Sequence, residues 1–188
     1  MDQLVGLPSF YHPNRQKKGA AAPLSQRREH PRQDQPSAST SSQERFWEGK
    51  TLEELSSDEW EALCDGCGKC CLNKLEHWET GEIFWTNVAC QLFDDGDCRC
   101  SNYANRFATV PDCVRLTPQV VRDVTWLPST CAYVRVRDGL DLPDWHYLKT
   151  GDRMSVHRAD ASAQDKTVSE QHVTVEEYED FLVEIEDL

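Results

Sequence analysis

CDGCGKCC, residues 64–71, sets four thiols (Cys64, Cys67, Cys70 and Cys71) within eight positions. A tetrahedral transition-metal site takes four soft ligands, and this stretch alone offers that many. Five more cysteines follow at Cys90, Cys98, Cys100, Cys113 and Cys131. Buried free cysteine acting as a small apolar residue is a poor account of four thiols packed so closely. The spacing predicts a small domain whose chain is organised around metal.

Within the run, Cys64/Cys67 and Cys67/Cys70 are overlapping C-x-x-C chelates. Three thiols so spaced resemble those that hold three corners of a cubane iron–sulfur cluster, with the fourth ligand supplied from a distance. Cys71 differs, because successive side chains diverge and a neighbouring pair makes a poor chelate. It suits a second metal, or a thiolate that bridges two. Eight thiolates fill two four-sulfur sites and leave one of the nine over. One cluster with an additional zinc, or one site plus structural cysteines, fits the count as well. Sulfur-only ligation favours zinc, iron–sulfur or copper(I) over magnesium and calcium.

A disulfide framework is the competing use of so many cysteines. It expects an even number and a secretory leader, whereas the count is odd and the start, MDQLVGLPSFYHPNRQKKGAAAP, has no apolar run behind a basic segment. Adjacent Cys70 and Cys71 would also strain a mutual bridge. Reduced thiols in a cytoplasmic protein are the expectation.

The 188 residues carry a net charge of −13, which argues against nucleic acid as a partner. No stretch approaches the roughly 20 apolar residues of a membrane helix, so no membrane partner is expected. Residues 1–45 hold seven Lys/Arg against four Asp/Glu and are rich in Pro, Gln, Ser and Arg. With few large apolar side chains to offset ordering entropy, they read as a disordered N-terminal extension. A transit peptide is the sharper alternative, but Pro8, Pro13 and Pro23 interrupt the helix it needs.

Residues 46–188 form the expected metal-binding domain, with order starting at Phe46-Trp47. Thr51–Glu54 and Ser56–Glu59 each have capping-box form, predicting short helical turns with Leu52, Leu55, Trp60 and Leu63 inward. Gly66 and Gly68 end that helix and free the backbone to fold around a metal. Residues 82–88 predict a strand feeding Cys90, and DDGD (94–97) a turn before Cys98 and Cys100. Thr117-Pro118 opens a helix. Residues 155–157 and 171–173 read as strand pieces, and Thr174–Glu177 caps an acidic C-terminal helix running toward Leu188. The fold class is therefore α+β, a small cysteine-rich domain with short helices, few short strands and much irregular chain.

Other groups are weighed against the thiols. His77, six residues past the run, is the best-placed histidine, though cysteines suffice without it. His146, His157 and His172 read as core-edge residues. Arg106, Arg115, Arg122 and Arg135 lie among the cysteine segments, where a cation lowers a thiol pKa, although surface pairing is the commoner use. Six tryptophans would wrap a small core around the metal. The chain has no G-x-S-x-G, P-loop, G-x-G-x-x-G or radical-SAM C-x-x-x-C-x-x-C motif, and DDGD lacks EF-hand spacing. No catalytic constellation is assigned.

The order CDGCGKCC, VAC at Cys90, CRCSNY from Cys98, PDC at Cys113 and LPSTCAY around Cys131 resembles the YcgN-type branch of the YkgJ-like bacterial cysteine-cluster proteins. FWEGKTLEEL and DLPDWHYLKTGD match that branch too, and the resemblance spans about residues 46–160. It implies zinc or iron chelation by these cysteines and names no reaction. The candidate metal ligands are thus Cys64, Cys67, Cys70, Cys71, Cys90, Cys100 and Cys113, joined by Cys98 and Cys131. The expected role is a cytoplasmic chelator of zinc or iron with an unknown protein partner. The alternatives are an iron–sulfur redox protein and a zinc-stabilised scaffold acting through its C-terminal helix.

Overall fold

Leu63 and Leu72 flank the cysteine run, and both are fully buried, in different cores. This double anchorage organises the computed structural model, which describes residues 4–7 and 45–188. Most of the extension expected to be disordered lies outside the described residues. Inside it, however, Leu4–Leu7 forms a strand, β1.

From Arg45 onward the chain makes a 3-10 turn at Leu52–Glu54 and then α1 (Ser57–Ala62). Both are opened by the expected capping boxes. The Ser56 hydroxyl accepts from the Glu59 amide, and the Glu59 carboxylate accepts from the Ser56 amide. After the cysteine run come β2 (Leu72–His77), β3 (Ile83–Ala89) and the two-residue strands β4 (Phe93–Asp94) and β5 (Arg99–Cys100). Short helices follow: α2 (Arg106–Thr109), α3 (Pro118–Asp123), α4 (Ala132–Arg137), α5 (Tyr147–Thr150) and α6 (Ser155–Arg158). The chain closes with β6 (Val168–Ser169), a 3-10 segment at Val175–Phe181, β7 (Leu182–Val183) and a last 3-10 turn at Ile185–Asp187. The mixed, short-element α+β architecture is the expected one.

Strands β1, β2 and β3 run antiparallel. On its other edge β3 pairs with β6 in parallel and with β7 antiparallel, while β4 and β5 form a separate hairpin. A register shift between Leu72 and Lys74 marks a bulge where β2 leaves the cysteine run. The helical core gathers Trp47, Leu52, Leu63, Val121, Leu127 and Tyr133, with Leu55 and Trp60 packed on it as expected. The sheet side holds two smaller clusters, one around Leu72, Ala89 and Ala163 and one around Leu75, Val88 and Tyr178.

Four expectations need correction. Residues 155–157 are helical, because the Asp152 carboxylate accepts from the Met154 amide and its carbonyl from the Ser155 amide. That local helix start outweighs one β-branched valine. The strand near residues 171–173 lies instead at Val168–Ser169. The segment from Thr174 keeps its capping box but winds as a 3-10 helix, and residues 182–183 then join the open edge of β3. Pairing with that edge supplies hydrogen bonds that a longer helix would forgo. Not every tryptophan packs inward either, since Trp78 is 63% exposed.

Candidate metal centre

The last carbonyls of α1 are taken up by side chains from later in the sequence. Tyr133 donates to the Trp60 carbonyl at 3.0 Å, Tyr147 to Ala62, and His146 Nε2 bonds Leu63 O at 3.0 Å. These bonds replace the missing continuation of the helix and fix where Cys64 leaves it. His146 is fully buried, and its Nδ1 accepts from the Leu148 amide. Both ring nitrogens are thus spent on backbone, which gives this histidine a supporting role.

The run itself is folded by Asp65 and two glycines. The Asp65 carboxylate accepts from the Cys67 amide, and Gly66 and Gly68 adopt φ values of 80° and 77°. At Gly68 a Cβ would stand 2.6 Å from the Phe93 ring and 3.1 Å from Cys98 Sγ. Here glycine is needed for space as well as for conformation. Pins on either side hold the segment. Ala163 N donates to Cys67 O, Cys71 N to Gly68 O and Cys90 N to Cys71 O, at 2.8–3.0 Å. The buried Lys69 ammonium donates to Ile185 O at 3.1 Å.

All nine cysteines are free thiols, and the fold sorts them. Burial is the main cause that raises the pKa of Cys64, Cys67 and Cys131, and each also feels the charge of Cys70. Cys64 and Cys131 are pushed up to about 12, although Cys64 also opens to solvent, which tempers the effect. A second neighbourhood joins Cys71, Cys90, Cys100 and Cys113. Cys71 senses Cys90, Cys90 senses Cys113 and Cys100, and Cys113 senses Cys100 and also Cys70. The Cys70 and Cys71 side chains bond to each other where the groups meet, lowering Cys70 and raising Cys71.

Cys98 stands apart. It takes a left-handed φ of 51°, is 4% exposed, and packs with Leu72, Ala89 and Ala163. Its Sγ lies 3.8 Å from Cys67 O, and burial pushes its thiol up to about 12. His77 sits at the far end of β2 from Cys71, its Nδ1 accepting from the Thr80 amide.

Two cations stand at the site, Arg106, which the sequence flags, and Lys74, which has no obvious sequence signal. Lys74 is 5% exposed, with its ammonium 4.4 Å from the Trp85 ring centre and 4.5 Å from that of Trp126. It donates to Leu72 O, and burial lowers it to about 8 against the pull of Cys70 and Cys71. Only the bulged start of β2 turns it toward the run, and spacing alone does not reveal that. Arg106 stacks between Tyr103 and Phe107 and lowers Cys113, though burial of that thiol prevails and raises it. Of the other sequence-flagged arginines, Arg115 also lies over Phe107, Arg122 pairs with Glu53, and Arg135 donates to Asp141 O. On the sheet side, the Glu170 carboxylate accepts from Gln91 N and Asn73 Nδ2 and faces Cys90.

A cleft of about 670 Å³ opens onto Cys64, Cys70, Cys71, Cys90, Cys100 and Cys113, walled by Trp60, Phe93, Trp126 and Tyr133. Cys67 and Cys131 are not in its lining. Among the described residues, no three His, Cys, Asp or Glu side chains stand together as a group that could hold a metal ion as they are. The donor chemistry fits a thiophilic metal, while the ligand distances require the thiols to close in.

A family described as "Putative zinc- or iron-chelating domain", with the signature C-x-x-C-x-x-C-C, matches residues 63–132. A UPF0260 protein of Agrobacterium fabrum is 57% identical over 139 residues, 74% of this chain and 86% of the relative. Similar proteins of the same title occur in Allorhizobium ampelinum, at 57% over 139 residues, and Mesorhizobium japonicum, at 54% over 143 residues. These alignments cover 74% and 75% of this chain and 87% and 97% of the relatives. No solved structure matches. Among the described residues, no helix is long and apolar enough to cross a membrane.

Proposed function

The chain belongs to the UPF0260 family, and from that premise we propose that it is a cytoplasmic chelator of zinc or iron, bound through its clustered cysteine thiolates. The observation that carries this reading is one cleft lined by six free thiols, Cys64, Cys70 and Cys71 of the run with Cys90, Cys100 and Cys113 from later in the chain. Disulfides would have consumed them, and apolar packing would have dispersed them as it does Cys98. The buried Lys74 and the nearby Arg106 supply positive charge where thiolates would accumulate negative charge. Holding metal for structure, storage or delivery accounts for the site.

Purification of the full chain without oxygen, followed by its visible spectrum and quantification of zinc, iron and acid-labile sulfide, tests this. The chelator reading expects tightly held zinc or iron that is lost when Cys64, Cys67 and Cys70 are together replaced by alanine. A chain that carries neither metal, or whose content the triple variant leaves unchanged, would overturn it. Sulfide matching iron would assign the iron as clusters and favour the redox alternative.

A further inference from the structure

Arg106 opens α2, Arg115 follows in the connection to α3, and both line the cleft. Their guanidiniums gather on one ring. Arg106 lies 4.4 Å and Arg115 5.0 Å from the centre of Phe107, and Arg106 also lies 3.8 Å from that of Tyr103. Aromatic faces soften the meeting of two like charges without neutralising it. Among the described residues, neither arginine pairs with a carboxylate. Arg106 donates to the Tyr103 carbonyl at 2.6 Å and to Cys113. A guanidinium carries five N–H donors, so most of both forks is still to be used. The acids on the cleft wall are engaged elsewhere: Glu53 pairs with Arg122, and Glu61 accepts from the Tyr103 hydroxyl at 3.3 Å.

Beside the arginines the cleft wall is apolar. Leu55, Trp60, Leu116 and Trp126 pack on the helical core yet stay only partly buried, and the Trp60 and Tyr133 rings stand 4.6 Å apart. An apolar wall with a few convergent polar groups, in a cleft of about 300–1,000 Å³, is the form of a small-molecule site. The volume here, about 670 Å³, falls in that range. A metal ion held at about 2.3 Å from its sulfurs takes up only a small part of such a space.

We infer that the cleft binds a small organic anion. Its carboxylate or phosphate head is held by Arg106 and Arg115, whose planar forks match either oxyanion. Its apolar or aromatic body lies against Trp60, Trp126 and Tyr133. This ligand is separate from the metal, and the site goes beyond the chelator reading without depending on it. The arginines and the apolar wall are in place whichever metal the thiols hold.

Isothermal titration calorimetry of the full chain tests the site, with naphthoate and naphthyl phosphate as anionic probes and naphthylmethanol as the neutral control. At least one anion should bind with a sub-millimolar dissociation constant, about tenfold tighter than the alcohol. The tighter anion assigns the head as carboxylate or phosphate. Arg115→Gln, at an exposed position, should abolish the preference for anions while leaving alcohol binding and zinc content unchanged. Arg106→Lys keeps the charge beside Cys113 but loses the fork, and it should weaken anion binding in the same direction. It serves as the test if circular dichroism shows that Arg115→Gln does not fold. Equal binding of alcohol and anions, no binding of either anion, or a preference that survives both substitutions would overturn the inference. So would loss of zinc from Arg115→Gln, which would assign that arginine to the thiolates. A chain that binds the anions but no zinc or iron would overturn the chelator reading and leave this one standing.

Discussion

The helical and sheet halves of the molecule hold cysteine by different means. On the helical side the thiols are local in sequence: three come from one run, and only Cys131 arrives from afar, at the start of α4. Their frame is side chain to backbone, with Tyr133, Tyr147 and His146 closing the end of α1. On the sheet side the thiols come from four separate places, and the frame is a strand ladder: β2 against β3, then the β4–β5 hairpin. A local chelate survives in a loosely packed fold because its loop is short. A dispersed one depends on the strands being in register. The difference teaches that the run CDGCGKCC joins two cores, with Leu63 buried in one and Leu72 in the other.

The largest way to break this comparison is to remove the leucine that anchors either end. Leu63→Ala and Leu72→Ala each delete a fully buried side chain and should cost about 3 kcal/mol in chemical denaturation. Hydrogen exchange read segment by segment should then separate them. Leu63→Ala should loosen α1 and α4, and Leu72→Ala should loosen β2 and β3. Identical exchange patterns from the two variants would show one cooperative core instead of two.

A smaller effect distinguishes the two glycines. Gly66→Ala meets open space and carries only the strain of a positive φ, about 1 kcal/mol. Gly68→Ala adds a clash with the Phe93 ring and should cost distinctly more, while also lowering metal content through the displaced β4. Equal stability and equal metal content in the two variants would contradict the close packing of Phe93 on the run. Smaller still is Lys74→Met, which keeps an unbranched chain between Trp85 and Trp126 but removes the charge. Competition with a chelator should show about tenfold weaker metal retention, equivalent to about 1.4 kcal/mol. Unchanged retention would reduce Lys74 to a packing role.

Much of this fold was legible in the sequence. The capping boxes at Thr51 and Ser56, the Thr117-Pro118 helix start and the strand before Cys90 are local signals, and local hydrogen bonds realise them. What escaped was decided at a distance. The helix after Cys131 packs four of its six residues into the helical core, and its pattern is too short to read alone. The C-terminal segment became a 3-10 helix and an edge strand because β3 had backbone groups to pair. At the site the cysteine positions were evident from spacing, but their sorting was not. Cys131 stands with the run and Cys98 with the core, and only the φ at Cys98 separates it from its near neighbour Cys100. The buried cation at Lys74 was equally hidden, since a lysine in a strand ordinarily reads as solvent-facing.

X-ray absorption at the metal edge of the loaded chain tests the central claim most directly. Chelation by clustered thiolates predicts a first shell of sulfur alone, with zinc–sulfur distances of about 2.3 Å for bound zinc. A first shell containing nitrogen or oxygen from histidine or carboxylate would contradict it.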